Sequence, residues 1–238
     1  AMTSVDIVIP CFKYAHYLEE CVRSILSQRD VEIRVLIVDD ASPDNTPEIA
    51  AQLVGADSRV SYSRNARNIG LIGSANSGIL QWARADYSLL ISADDFLLPG
   101  ALARAAYVLD AHPDVHMVYG MATIVTDDDR PVVGDDRLAP TYQIIAGRDY
   151  VKQSCKTGVP APSPSVLVRT SVQHALGGYV LRFPHTSDME MWLRFAARGP
   201  IGVIKEAQAG YRWHGANMTL AYTGRVVMDR RMRIQTCE

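Results

Sequence analysis

Basic residues are not in excess in this sequence. Lys and Arg number 24 against 26 Asp and Glu, a formal net charge of −2, so the positive stripe expected of a nucleic-acid-binding surface is missing. Long apolar runs are missing too. None approaches the ~20 residues needed to cross a bilayer, and the opening AMTSVDIVIP has neither the basic region nor the apolar stretch of a secretory signal. Cysteine is sparse: Cys11, Cys21, Cys155 and Cys237 show no CxxC spacing and are too few for a disulfide scaffold. That pattern predicts reduced thiols and a cytoplasmic location. Neither G-x-G-x-x-G nor G-x-x-x-x-G-K-S/T occurs, which argues against dinucleotide oxidoreductases and P-loop enzymes.

What is present is an ordinary globular composition, 48% hydrophobic and 21% charged, on a chain long enough to bury a substantial core. VDIVIP, IRVLIVDD, VSYSRN, YSLLIS and VHMVYG read as strands. Between them, residues 16–28, 46–53, 72–84 and 99–109 carry helical patterns, with Thr46 as a cap and Pro47 as a first-turn proline. Four alternations of strand and helix imply right-handed crossovers and a mostly parallel α/β sheet. Ligands of such sheets sit beyond the carboxyl ends of the strands. IRVLIVDD closes on Asp39 and Asp40, and YSLLIS leads into Asp94 and Asp95, so both acidic pairs are expected to face one crevice.

The pattern changes after about residue 126. TDDDRPVVGDDRLAP is polar and turn-rich and divides the chain into residues 1–126 and a second half, residues 127–238. There SVLVR reads as a strand, TSVQHALGG as a helix ended by glycine, and SDMEMWLRFAARG as another helix.

Five segments carry candidate chemistry, and each also has a plain structural reading. Asp94 and Asp95 in SADDFLLPG supply hard oxygen ligands for Mg²⁺ or Mn²⁺, or form a solvated turn that caps the next helix. Asp39 and Asp40 in VDDASPDNT can accept from a ribose hydroxyl or a base N–H, or serve as local turn residues. In NARNIGLIGSANSG, Gly70, Gly73 and Gly78 with Asn68 and Asn76 permit a close backbone approach to a ligand near a helix start. Arg64 and Arg67, just upstream, either meet a diphosphate or are surface charges. In HTSDMEMWLRFAARG, Ser187 and Glu190 have capping-box spacing, which puts Asp188 in the first helical turn as a candidate general base. His214, in GYRWHGANMT between aromatic neighbours, is either a metal ligand or an ordinary loop histidine.

The order of these segments is more specific than any one of them. IVIPCFKYAHYLEECVRSILSQ, VDDASPDNT, NIGLIGSANSGI, SADDFLLPGAL, SDMEMWLRFA and RWHGANMT, taken together, resemble the family 2 inverting glycosyltransferases from about Val5 to Thr219. The resemblance implies a GT-A fold: a Rossmann-like, mostly parallel central sheet flanked by helices, with a smaller mixed acceptor-side half. It implies that residues 1–126 bind a nucleoside-diphosphate sugar and that residues 127–238 bind the acceptor and carry the base. Carried over by position, Asp39 holds the nucleobase with Pro10 and Phe12 lining its pocket. Asp94 and His214 contact Mg²⁺ or Mn²⁺, Asp95 supports the metal or touches the sugar, and Asp188 is the catalytic base. Arg67, Asn68 and Gly70 belong to the donor-binding loop.

Three positions depart from the family pattern: Ser92 and Ser187 stand where acids are usual, and Ala75 where a basic residue is common. The reading that results is sugar transfer to an unidentified small-molecule, glycan or peptide acceptor, in bacterial glycan or secondary-metabolite biosynthesis. Two alternatives stand beside it, a sugar-1-phosphate nucleotidyltransferase and a non-catalytic nucleotide-sugar-binding module. No nucleic-acid partner and no transmembrane segment are expected, while the basic stretch DRRMR leaves a peripheral membrane contact open.

Overall fold

The computed structural model describes residues 2–127, 129, 139–215 and 217. Its elements run β1 (Ser4–Cys11), α1 (Ala15–Leu26), β2 (Glu32–Asp39), α2 (Thr46–Ala56), β3 (Val60–Arg64) and α3 (Gly70–Asn76). A π-helical turn, Ser77–Trp82, continues α3. Then come β4 (Tyr87–Leu90), β5 (Phe96–Leu97), α4 (Ala101–Ala111), β6 (Met117–Val125), β7 (Tyr142–Ile145) and α5 (Gly147–Thr157). A 3₁₀ turn, Ser163–Ser165, precedes β8 (Leu167–Arg169), α6 (Thr170–Leu176), α7 (Ser187–Ala196) and β9 (Ile201–Arg212).

One nine-stranded sheet has the order β3-β2-β1-β4-β8-β6-β9-β5, with β7 also paired to β9. The block β3-β2-β1-β4 is parallel throughout. Its strands are apolar runs, as expected of a sheet covered on both faces. Alternation along β1 divides the core: Ile7 and Ile9 join the cluster under α1, α2 and α4, and Val8 joins the one under α3, α5 and α7. Beyond β4 the sheet is mixed. β8 runs antiparallel to β4 and β6, β6 and β9 are parallel, and β5 and β7 are antiparallel to β9. This is the α/β architecture expected from the sequence, with a parallel block and a mixed continuation.

Several local expectations change. The helix predicted over residues 72–84 starts at Gly70 and becomes π-helical from Ser77. Gly78 packs there so tightly that an added Cβ would lie 2.4 Å from a Val8 methyl. The cap of α2 is at Asn45, and Thr46 instead donates its hydroxyl to Asp44 at 2.6 Å. β5, β7, α5 and the long β9 have no counterpart in the sequence reading. β9 was obscured by Lys205, Glu206 and Gln208 in its middle. Gln208 is in fact buried, accepting from Nε of the fully buried Arg104 at 2.7 Å and donating to the Ala101 carbonyl at 2.8 Å.

Cys11 and Cys21 are buried free thiols. Cys155 is disulfide-bonded, which corrects the expectation of uniformly reduced cysteines. No helix among the described residues is long and apolar enough to cross a membrane. The basic stretch 229–233 lies outside the described residues.

Candidate functional site

The loops at the carboxyl ends of β1 and β2 are unusual in their backbones. Lys13 and Ala41 both have positive φ, 63° and 57°, a conformation that side-chain-bearing residues adopt at a cost and that clusters at functional sites. Pro10 is buried at the end of β1, while Phe12 is 37% exposed on the loop with the Lys13 ammonium 5.2 Å from its ring centre.

Strand alternation sends Asp39, the last residue of β2, and Asp40, the next residue, in different directions. The Asp39 carboxylate is fully buried. It accepts from the Ser42 N–H at 2.8 Å and the Tyr62 hydroxyl at 2.7 Å, and pairs with Arg64, whose side chain is 40% exposed. Asp40 turns towards the glycine-rich loop. One of its oxygens accepts from Asn65 Nδ2 and the Ile69 N–H, and the other from the Gly70 N–H, each at 2.8 Å. Gly70 has φ +82° and donates also to Asn68 Oδ1 at 3.1 Å. Arg67 and Asn68 are exposed on this loop. Asp40 therefore shapes the loop whose residues were expected to meet the donor, a role that its sequence position beside Asp39 did not reveal.

Asp94 and Asp95 follow β4 and are both nearly buried. Oδ2 of Asp94 lies 3.0 Å from Nε2 of His214, with both side chains 8% exposed. Oδ1 of Asp94 is buried and has no hydrogen-bond partner among the described residues. Burial and the adjacent Asp94 charge raise the Asp95 carboxyl well above its ordinary value, against the opposing pull of Arg212.

His214 is held from several sides. Its ring stacks on Tyr17 at 5.3 Å and meets the edge of Tyr14 at 5.4 Å. The main-chain N–H of His214 donates to the side-chain oxygen of Asn217, whose Nδ2 donates to the Arg212 carbonyl at 2.9 Å. Neither Arg212 nor Asn217 was singled out from the sequence, although both sit in the segment that carries His214.

A carboxylate and an imidazole are side chains of the kinds that bind divalent cations. Among the described residues no group of three or more His, Cys, Asp or Glu side chains could enclose a metal. What these residues do offer is one buried, unpartnered carboxylate oxygen, Oδ1 of Asp94, with the imidazole of His214 held against the other oxygen of the same carboxylate.

Asp188 lies in the first turn of α7, where the helix dipole favours an acid. The expected capping box is not formed. Thr186 occupies the cap, its carbonyl accepting from the Glu190 N–H at 2.9 Å, and the Glu190 carboxylate pairs with Arg194 at 2.8 Å. Asp188 is half-buried, and its Oδ2 accepts from the Ser163 hydroxyl at 3.0 Å. Ser163 opens the 3₁₀ turn that packs against β5, β6 and β9. Ser165 of the same turn donates to the Gly120 carbonyl at 2.9 Å. Because β5 directly follows Asp95, this turn links Asp188 to the strand that begins at the acidic pair. Asn76 of α3 holds the segment between α6 and α7, its side chain accepting from the Tyr179 N–H at 2.7 Å and donating to the Tyr179 carbonyl at 3.0 Å.

Residues 6–165 match the family described as glycosyl transferase family 2. An uncharacterized glycosyltransferase of Haemophilus influenzae is 20% identical over 221 residues, covering 92% of this chain and 68% of the relative. Among solved structures, S. aureus TarS in complex with UDP-GlcNAc aligns with a TM-score of 0.74 at 18% identity, over 92% of this chain and 61% of that one. Mannosyltransferase PcManGT from Pyrobaculum calidifontis, in complex with GDP-Man and Mn²⁺, aligns with a TM-score of 0.68 at 16% identity, over 93% and 60%. The chain thus spans about three-fifths of each of these two structures. It belongs to glycosyl transferase family 2 and has the GT-A-type fold of that family's enzymes.

Proposed function

We propose that this glycosyltransferase takes a sugar from a nucleoside-diphosphate donor and passes it, with inversion, to an acceptor nucleophile deprotonated by Asp188. The observation that carries the reading is the half-satisfied Asp94 carboxylate, with one oxygen on His214 and the other buried without a partner. UDP-GlcNAc in TarS, and GDP-Man with Mn²⁺ in the mannosyltransferase, support a donor and a divalent cation of this class.

Asp94 and His214 would hold the cation, either Mg²⁺ or Mn²⁺, and its charge would stabilise the departing diphosphate. Pro10, Phe12 and the Asp39–Arg64 pair flank the base-binding end, and Arg64 is the exposed member of that pair. Gly70, Asn68 and Arg67 form the loop offered to the rest of the donor, its shape set by Asp40. Asp95, already bonded to the Arg212 N–H at 3.0 Å, supports Asp94 or faces the sugar.

Asp188 takes the acceptor proton as the nucleophile forms its bond to the anomeric carbon and the bond to the diphosphate breaks. A single displacement inverts that carbon and needs no covalent sugar–enzyme species. Residues 1–126 serve as the donor half and residues 127–238 as the acceptor half.

The test is release of nucleoside diphosphate from a panel of UDP- and GDP-sugars with Mn²⁺, followed by addition of excess EDTA. Release that stops on chelation, with an inverted anomeric product by NMR, supports the reading. Undiminished release in EDTA, or a retained anomer, contradicts it.

A further inference from the structure

Arg212, the last residue of β9, is 7% exposed and makes an unusual number of directed contacts. Its Nε donates to the main-chain carbonyl of Asp94 at 3.0 Å. Its own N–H donates to Oδ1 of Asp95, also at 3.0 Å. One guanidinium nitrogen pairs with Glu20 on α1 and the other reaches Asp127 just beyond β6, at 3.3 Å. The guanidinium lies 4.8 Å from the ring centre of Tyr17. That ring stacks on His214, and its hydroxyl donates to both oxygens of Asp127, at 3.0 and 2.9 Å. The Arg212 carbonyl accepts from Asn217, which closes the loop bearing His214.

We propose that Arg212 is the positioning residue of the cation site, holding Asp94 and His214 in register so that the free oxygen of Asp94 and the His214 ring converge on one ion. The inference rests on the reading that Asp94 and His214 hold a divalent cation.

The geometry explains a choice that two adjacent acids leave open. The Arg212 guanidinium engages Asp94 only through the Asp94 main-chain carbonyl, while the main-chain N–H of Arg212 holds a side-chain oxygen of Asp95. Asp95 thereby has an oxygen already committed, while the Asp94 carboxylate keeps one oxygen for the ion. The same residue fixes His214 from two sides, its main-chain carbonyl through the Asn217 bridge and its guanidinium through the Tyr17 ring. A planar guanidinium that reaches a carbonyl and two carboxylates at once cannot be replaced by the single point donor of lysine.

The experiment measures binding of Mn²⁺ alone to the intact protein by counting free ion in the EPR spectrum, with the melting midpoint recorded in EDTA. The variants are Arg212→Lys, Glu20→Gln and Asp94→Ala. Wild type is expected to bind one Mn²⁺, and Asp94→Ala to lose it. Arg212→Lys and Glu20→Gln are expected to bind about 10–100-fold more weakly, the usual effect of disturbing groups that orient metal ligands, with the metal-free melting midpoint unchanged in Glu20→Gln. Mn²⁺ affinity within twofold of wild type in both Arg212→Lys and Glu20→Gln overturns the positioning role and leaves the cation site standing. Absence of Mn²⁺ binding by wild type, or full binding by Asp94→Ala, overturns both. Should Arg212→Lys fail to fold, Glu20→Gln alone decides, because its side chain lies at the outer end of the contact, 57% exposed.

Discussion

His214 approaches Asp94 from 120 residues away in sequence, placing Nε2 3.0 Å from Oδ2 while the other carboxylate oxygen stays buried without a hydrogen-bond partner among the described residues. β9 makes this meeting. Antiparallel pairing of Phe96 with Gly210 brings the end of β9 alongside the strand that starts at the acidic pair.

Removing the carboxylate tests that relationship. Asp94→Ala is expected to abolish the rise in melting temperature produced by a nucleoside diphosphate with Mn²⁺, because a ligand that binds only the folded state stabilises it by mass action. The metal-free melting midpoint should hold or rise, since a buried and incompletely bonded carboxylate is removed. A thermal shift in Asp94→Ala equal to that of wild type would show that the cation is held elsewhere.

Asp188→Asn keeps the shape of the side chain and its contact with Ser163 but cannot accept a proton. Turnover is expected to fall roughly 10²–10⁴-fold, the range for losing a positioned base, with donor binding unchanged in the thermal-shift assay. Turnover near that of wild type would remove Asp188 from the chemistry.

The sheet's parallel block and the two acidic pairs were legible in the sequence because their signal is local: an apolar run closing on acids beyond a strand's carboxyl end. The remainder depended on partners distant in the chain. β9 could not be read because Gln208, polar in sequence, is buried against Arg104 from α4. The separate tasks of Asp39 and Asp40 follow from strand alternation, but only the positions of Arg64 and Gly70 show which acid does what. Asp188 was placed in the first turn of its helix, yet the cap was assigned one residue late because Glu190 answers to Arg194 rather than to the helix start.

Gly210 gives a packing test of the same region. A Cβ there would lie 2.1 Å from Cζ of Phe96, so Gly210→Ala must push the ring that directly follows Asp95. Overpacking of this kind costs about 1–3 kcal/mol. Urea denaturation should show that loss, and Mn²⁺-dependent turnover should fall further than stability alone explains. A variant as stable and as active as wild type would mean that the Phe96–Gly210 contact does not constrain the site.

Acid sensitivity is expected from Asp44. Burial pushes its carboxyl up, but donors from the Thr46 hydroxyl and N–H and from the Ala15 N–H outweigh it, so the folded-state pKa lies below the ordinary value of 3.8. The depressed value means that its stabilisation is fully present above 3.8 and is lost as pH falls through the folded-state pKa. Urea denaturation of wild type and Asp44→Asn should therefore differ most near pH 6 and converge towards the acid limb. A constant difference down to pH 3 would show that this carboxylate does not carry the dependence.

The most direct test of the account is anomalous diffraction from crystals grown with Mn²⁺ and the nucleoside diphosphate that gives the largest thermal shift. The account predicts one manganese peak in contact with Oδ1 of Asp94 and the His214 ring, bridging to the diphosphate, with Asp188 lining the same cleft. A manganese ion bound away from Asp94, or a diphosphate in a cleft that Asp188 does not enter, would contradict it.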